Sequence, residues 1–171
     1  SCFVLLQKAM CAQVLNTSWA IGFGGVNSES IKSVVSDTDG YVYTVGYFQG
    51  VVDVDPSSSL FLLSSVGQQD IFITKVSASG QLIWAKQIGG AGNESGNSIC
   101  IHANGNISIT GFYHGMVDFD PGIGIHTLIA ASSFSQDIFI LTLNTNGSFL
   151  WAKVIGGSGY LDTFGNLHDA V

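Results

Sequence analysis

The feature that most constrains this chain is a nine-residue stretch that returns. Leu82-Ile83-Trp84-Ala85-Lys86-Gln87-Ile88-Gly89-Gly90 recurs as Phe149-Leu150-Trp151-Ala152-Lys153-Val154-Ile155-Gly156-Gly157. A looser copy, Ser18-Trp19-Ala20-Ile21-Gly22-Phe23-Gly24-Gly25, precedes both. The three tryptophans of the chain sit in these copies, 65 and then 67 positions apart. A fixed period of this length means that one supersecondary unit is used again, so each residue is read together with its counterpart.

The rest of each period superposes on the other. Asp39-Gly40 matches Asn104-Gly105, and Tyr41-Val42-Tyr43-Thr44-Val45-Gly46-Tyr47-Phe48 matches Asn106-Ile107-Ser108-Ile109-Thr110-Gly111-Phe112-Tyr113. Gly50 matches Gly115, and Val52-Asp53-Val54-Asp55-Pro56 matches Val117-Asp118-Phe119-Asp120-Pro121. After a loop two residues longer in the second copy, Asp70-Ile71-Phe72-Ile73 matches Asp137-Ile138-Phe139-Ile140, and Gly80 matches Gly147.

Within a period the apolar residues alternate and turn residues separate short runs, which is the pattern of strands and not of helices. Four core strands are expected per period. The first is Ser33–Asp37 or Ser98–Ala103, ending at Asp-Gly or Asn-Gly, a two-residue hairpin signal in which Asp and Asn tolerate positive φ. The second is Tyr41–Phe48 or Asn106–Tyr113. An excursion then carries Asp-x-Asp-Pro and an apolar piece, Leu60–Ser64 or Thr127–Ala131, suited to a further short strand. The third is Asp70–Ser77 or Asp137–Asn144, and the fourth Leu82–Ile88 or Phe149–Ile155. A composition of 46% hydrophobic and 10% charged residues, with 22 glycines and two prolines, fits short strands joined by tight turns and does not fit disorder.

Four antiparallel strands per repeat, apolar on both faces, make the blade of a β-propeller. The expected fold is therefore all-β, with two full propeller-type blades and flanking partial ones in an incomplete propeller. Residues 26–90 form the first blade and 91–157 the second. Residues 13–25 supply the outer strand of a preceding blade, and 158–171 begin a truncated third. Two blades leave apolar faces without partners, at a cost of ~25 cal/mol per Å². The chain thus reads as a fragment of a longer protein, its faces covered by further blades in cis or by self-association.

The combination Trp-Ala-Lys-x-Ile-Gly-Gly, Asn-Gly-Asn-Ile-x-Ile-Thr-Gly-Phe, Val-Asp-Phe-Asp-Pro-Gly and Asp-Ile-Phe-Ile resembles the bacterial β-propeller repeat known as the SBBP repeat, over Trp19 to Gly159. The resemblance implies a propeller and an exported, extracellular or cell-surface protein. It implies no catalytic residues. The first copy departs from it in lacking the lysine of Trp-Ala-Lys.

Bulk properties narrow the function. No arginine occurs, and five lysines against twelve acids give a net charge of −7, which excludes nucleic acid as a partner. No apolar run reaches the ~18–20 residues of a membrane-spanning helix. Residues 1–12 read as a truncated secretory leader, apolar at Phe3-Val4-Leu5-Leu6 and small at Cys11-Ala12, with a frayed strand as the alternative. Cys2 and Cys11 fall in that leader, leaving Cys100, expected as a buried, inert thiol.

Among chemistry-bearing groups, Asp53 and Asp55, like Asp118 and Asp120, stand at i and i+2 and can offer two carboxylates to calcium, a hard cation that needs six or more oxygens. The competing reading, favoured by recurrence in both copies, is an aspartate turn that satisfies backbone N–H groups. Beyond that calcium no cofactor is expected. Asp70 and Asp137 are expected to hydrogen-bond loop backbone. Trp19, Trp84 and Trp151 are expected to pack between blades, and Gly90 and Gly157 to let the chain cross from one blade to the next. His102, His114, His126 and His168 show no ligand spacing and are expected on the surface or in loops.

No catalytic constellation emerges, so the functional expectation is a non-catalytic extracellular scaffold or interaction module. A protein or glycan partner would bind on the loop face, Ser57–Gln69 and Gly122–Gln136. The alternatives are part of an exported propeller enzyme acting on glycans, or a calcium-stabilised adhesin.

Overall fold

Runs such as Ile71-Phe72-Ile73 and Ile107-Ser108-Ile109 pack best on a pleated surface, and the chain uses them as strands throughout. The computed structural model describes residues 2–5, 20–131, 135–155, 160–161 and 167–168. Its strands in chain order are β1 (Cys2–Leu5), β2 (Ala20–Gly25), β3 (Glu29–Ser36), β4 (Val42–Phe48), β5 (Val51–Asp53), β6 (Leu62–Ser64), β7 (Asp70–Val76) and β8 (Leu82–Ile88). The second half repeats the pattern: β9 (Ser95–Ile101), β10 (Ile107–His114), β11 (Met116–Asp118), β12 (Thr127–Ile129), β13 (Gln136–Leu143) and β14 (Phe149–Ile155). Two short strands, β15 (Tyr160–Leu161) and β16 (Leu167–His168), pair with each other. Among the described residues there is no helix long and apolar enough to cross a membrane.

Two four-stranded antiparallel sheets dominate, in spatial order β3-β4-β7-β8 and β9-β10-β13-β14. Each excursion closes into a small hairpin, β5 with β6 and β11 with β12. Of the Leu60–Ser64 and Thr127–Ala131 pieces only three residues each form a strand, the last three of the first, Leu62–Ser64, and the first three of the second, Thr127–Ile129. β2 pairs with β5 through Gly24 and Gly25, and also with β1.

The first strand of each sheet starts earlier than the sequence pattern indicates, at Glu29 and Ser95 instead of Ser33 and Ser98. A β-bulge explains the difference. Lys32 in β3 and Asn97 in β9 are each an extra residue in the register, which breaks the alternation on which a strand is recognised. Opposite the bulges stand Gly46 and Gly111, where a Cβ would overlap the carbonyl oxygens of Ser30 and Ser95. The repeat keeps those glycines for that reason.

The hairpins also differ from expectation. Gly40 N–H donates to Asp37 O and Asp37 N–H to Tyr41 O, so the loop has three residues, not two. The same pair of bonds closes 77–81, 102–106 and 144–148. Glycine, and not the preceding Asp or Asn, carries the left-handed backbone: φ is +83° at Gly40, +84° at Gly80, +83° at Gly105 and +75° at Gly147.

The two sheets stack face to face, and they do so unequally along the chain. Tyr43, Val45, Ile71, Ile73 and Ile88 of the first sheet share one core with Ile99, Ile107, Ile109, Phe139 and Leu141 of the second. Ile71 and Ile88 are 0% and 2% exposed, whereas their counterparts Ile138 and Ile155 are 51% and 38% exposed. The face that the second sheet covers on the first is therefore the face the second sheet leaves open. On its other side the first sheet packs Phe48 and Phe72 under its own hairpin, against Val52, Val54 and Leu63.

Cys100 is a correction to the sequence reading. It lies in β9, but between Ile99 and Ile101 it points outward and is exposed. An apolar neighbourhood in sequence does not bury a residue whose strand neighbours take the inward positions.

Candidate functional site

The seam between the two sheets has two ends. At one lie the excursions and the Gly89–Gly92 crossover, and at the other lie the three-residue turns. The turn end holds a cleft of about 570 Å³. Its first wall comes from the first sheet: Asp37, Thr38 and Asp39 of the turn, Tyr41, Tyr43 and Lys75. The second sheet supplies Ile101, His102, Ala103 and Thr145.

Lys75 is the centre of this site. It sits on β7, facing the seam, and is 9% exposed. Its ammonium lies 4.3 Å from the Tyr41 ring centroid and 5.0 Å from that of Tyr43, and it donates to Thr145 O across the seam at 3.3 Å. Trp84 Nε1 donates to the same carbonyl at 3.2 Å, and its ring meets Tyr43 edge to face. Among the described residues Lys75 forms no ion pair, so its charge is stabilised by π-faces and one carbonyl.

Asp37 shapes the first wall. Its Oδ1 accepts from the backbone N–H groups of Asp39 and Tyr41, and Oδ2 stands 3.4 Å from the Tyr43 hydroxyl. At the equivalent place in the second copy His102 uses its Nε2 on Ser108 Oγ at 2.7 Å. Around it, His102, Ala103, Asn104, Asn106, Thr142 and Trp151 line a second cleft of about 450 Å³. These are the counterparts of Asp37, Thr38, Asp39, Tyr41, Lys75 and Trp84. The second cleft is the first one repeated, on the open face and with different chemistry.

At the excursion end the seam encloses two acids. Asp70 and Glu94 are each 0% exposed. Asp70 Oδ2 accepts from Val66 N–H at 3.0 Å and Gln87 Nε2 at 2.7 Å, and Glu94 Oε2 accepts from Gly90 N–H at 2.8 Å. Desolvation raises the pKa of both above the usual carboxylate range, and the proximity of Asp70 raises Glu94 further. The hydrogen-bond donors, and His114 beside Glu94, pull the other way without cancelling it. A Cβ on Gly89 would overlap the Asp70 carboxyl, and one on Gly90 would stand 2.6 Å from Met116 O. The crossover is glycine-rich because carboxylate and backbone fill the space that side chains would need.

No family model matches this chain, and no curated protein matches it. The site is therefore read from its own geometry.

The aspartates singled out by spacing are engaged as turns. Asp53 Oδ1 accepts from Asp55 and Phe61 N–H, and Asp118 Oδ1 from Asp120 and His126 N–H. Asp55 and Asp120 each accept from the backbone two residues on. Among the described residues no three His, Cys, Asp or Glu side chains gather as a ligand set for a metal. Asp137 Oδ2 accepts from Ala131 N–H, the counterpart of the Asp70 bond to Val66. Trp151 is 41% exposed on the open face, whereas Trp84 is half-buried in the seam. Trp19 and Gly157 lie outside the described residues.

Two histidines are less peripheral than their sequence context indicates. His114 and His126 are half-buried, with Nδ1 of His114 2.6 Å from Asn93 O and Nε2 of His126 3.2 Å from Ala152 O. Lys75, Tyr41, Tyr43 and Glu94 were not singled out by motif. A signal for Glu94 existed, since Glu29 precedes it by 65 residues. The signal for the cleft was the reverse: Asp37, Tyr41, Tyr43 and Lys75 all lack like counterparts.

Proposed function

We propose that this chain is part of a propeller-type repeat array of the SBBP kind, an exported, non-catalytic scaffold whose inter-blade cleft at the turn end is its binding site. The observation that carries this reading is the stacking itself. The surface buried at Ile71 and Ile88 is repeated as the open surface at Ile138 and Ile155. Such a surface is heterologous: it takes the same partner again, one repeat on, and closes or extends according to the rotation between units.

Within that array the cleft supports binding rather than turnover. Asp37 directs both carboxylate oxygens at its own turn, which leaves Asp39 as the freely presented acid, whereas glycoside hydrolysis uses a pair. The excursion loops, expected to hold the partner, lie at the opposite end of the seam from the cleft.

The stacking is tested by appending a second copy of residues 91–157 after Gly157, which keeps the Gly-Gly crossover, and following chemical unfolding. The extended protein should unfold at clearly higher denaturant, and with isotope label in the original unit alone Ile138 and Ile155 should become shielded from solvent in NMR. An unchanged midpoint together with unchanged exposure of these two residues would mean that the face does not accept another unit.

A further inference from the structure

The cleft reading above can be taken to a ligand class. We infer that the cleft between Lys75, Tyr41 and Asp37 takes a singly acidic sugar residue, a uronic acid within a glycan, with its carboxylate on the Lys75 ammonium.

Each requirement comes from a wall of the cleft. Lys75 is nine-tenths buried, has no carboxylate partner among the described residues, and directs one N–H at Thr145 O, which leaves donors for an anion. A desolvated ammonium binds a carboxylate through charge-assisted hydrogen bonds stronger than those water offers it. On the same wall as Lys75, at its turn, stand Asp37 and Asp39, which are acceptors only. They repel a second negative charge and select hydroxyl donors instead. Tyr41 and Ile101, both half-buried, supply the apolar surface against which the C–H face of a sugar ring packs. A volume of about 570 Å³ holds one or two rings. The chain's net charge of −7 adds long-range repulsion against densely charged polyanions, so one carboxylate among many hydroxyls is the composition that fits.

The second cleft supplies an internal control. Thr142 replaces Lys75, Asn106 and Ser108 replace the tyrosines, and His102 replaces Asp37. It keeps the turn and loses both the cation and the opposite wall.

The test is calorimetric titration of the full chain at low salt with a galacturonate disaccharide, its carboxyl-reduced neutral analogue, sodium acetate and inorganic phosphate. The site is located by NMR shifts of Tyr41, Tyr43 and His102. The uronate should bind about tenfold more tightly than the neutral sugar, the difference one charge-assisted hydrogen bond makes. Lys75→Met, which keeps the stem packed on the tyrosines, should remove that difference. The carboxyl-reduced ligand asks the same question of the unaltered protein if the variant unfolds. Equal binding of acidic and neutral sugar overturns the uronate assignment while leaving the cleft as a sugar site. Acetate or phosphate binding as tightly as the uronate overturns the sugar and leaves a simple anion site. Shifts that cluster at the excursion loops or in the second cleft overturn the cleft itself.

Discussion

The two ends of one seam are built on opposite principles. At the excursion end the chemistry repeats: Glu94 answers Glu29, Asp137 answers Asp70, and Gly89-Gly90 answers Gly24-Gly25. At the turn end the backbone repeats, down to φ angles at Gly40 and Gly105 that are the same, but the side chains do not: Asp37 against His102, Tyr41 against Asn106, Lys75 against Thr142. A residue required to join one unit to the next must recur at each junction. A residue required for a ligand need occur only where the ligand binds. In a repeat protein, departure from the repeat within a cleft marks function, and adherence to it marks assembly.

The sharpest way to break that contrast is to compare substitutions at the two ends. Gly90→Ala places a methyl 2.6 Å from the backbone oxygen of Met116, which cannot swing aside, and 2.9 Å from the buried Val117 Cγ2. The expected loss is about 3 kcal/mol, an overpacked site at its upper range, read from urea unfolding. Asp39→Asn, at the exposed tip of the cleft's first turn, should stay within about 0.5 kcal/mol of the parent. Comparable losses at both positions would show that the cleft is as structural as the crossover.

The tryptophans give a second, smaller contrast at one repeat position. Trp84 loses its bond to Thr145 O and its edge contact with Tyr43 on truncation, so Trp84→Ala should cost about 2 kcal/mol. Trp151, 41% exposed on the open face, should cost less than about 1 kcal/mol in the same assay. Covering that face with an appended unit should raise the Trp151→Ala loss toward that of Trp84→Ala. If it does not, the two faces are not equivalent.

How legible this was follows from which signals are local. The four core strands of each period were readable from alternation and from the period, and the fourth ones, Leu82–Ile88 and Phe149–Ile155, fall where expected, whereas the three-residue strands β5 and β11 are too short to show a pattern. The bulges at Lys32 and Asn97 were not, because an extra residue erases the alternation that reveals a strand. Cys100 was misplaced because apolar neighbours say nothing about which face of a strand lies inward. The cleft was hidden for a different reason. Attention to what recurs selects Asp53, Asp55, Asp118 and Asp120, whose oxygens are engaged with backbone, and passes over Lys75 and Tyr41, which recur nowhere.

The smallest effect tests the acid pair at the excursion end. Because burial raises both Asp70 and Glu94, the folded chain holds protons that the unfolded chain releases. The stability this pair contributes is therefore fully present below the ordinary carboxylate range and is lost as pH climbs through the raised values. The midpoint of unfolding should fall as pH rises above the ordinary carboxylate range, and Glu94→Gln, which keeps the shape and removes one titration, should flatten that fall. Asp70→Asn should do the same. The double variant should flatten it further than either single one, since each carboxyl is raised first by its own desolvation and only Glu94 feels the charge of its neighbour. A slope in Glu94→Gln equal to that of the parent would mean that the seam tolerates both charges, and that its repeated acids are solvated partners rather than the desolvated pair their burial indicates.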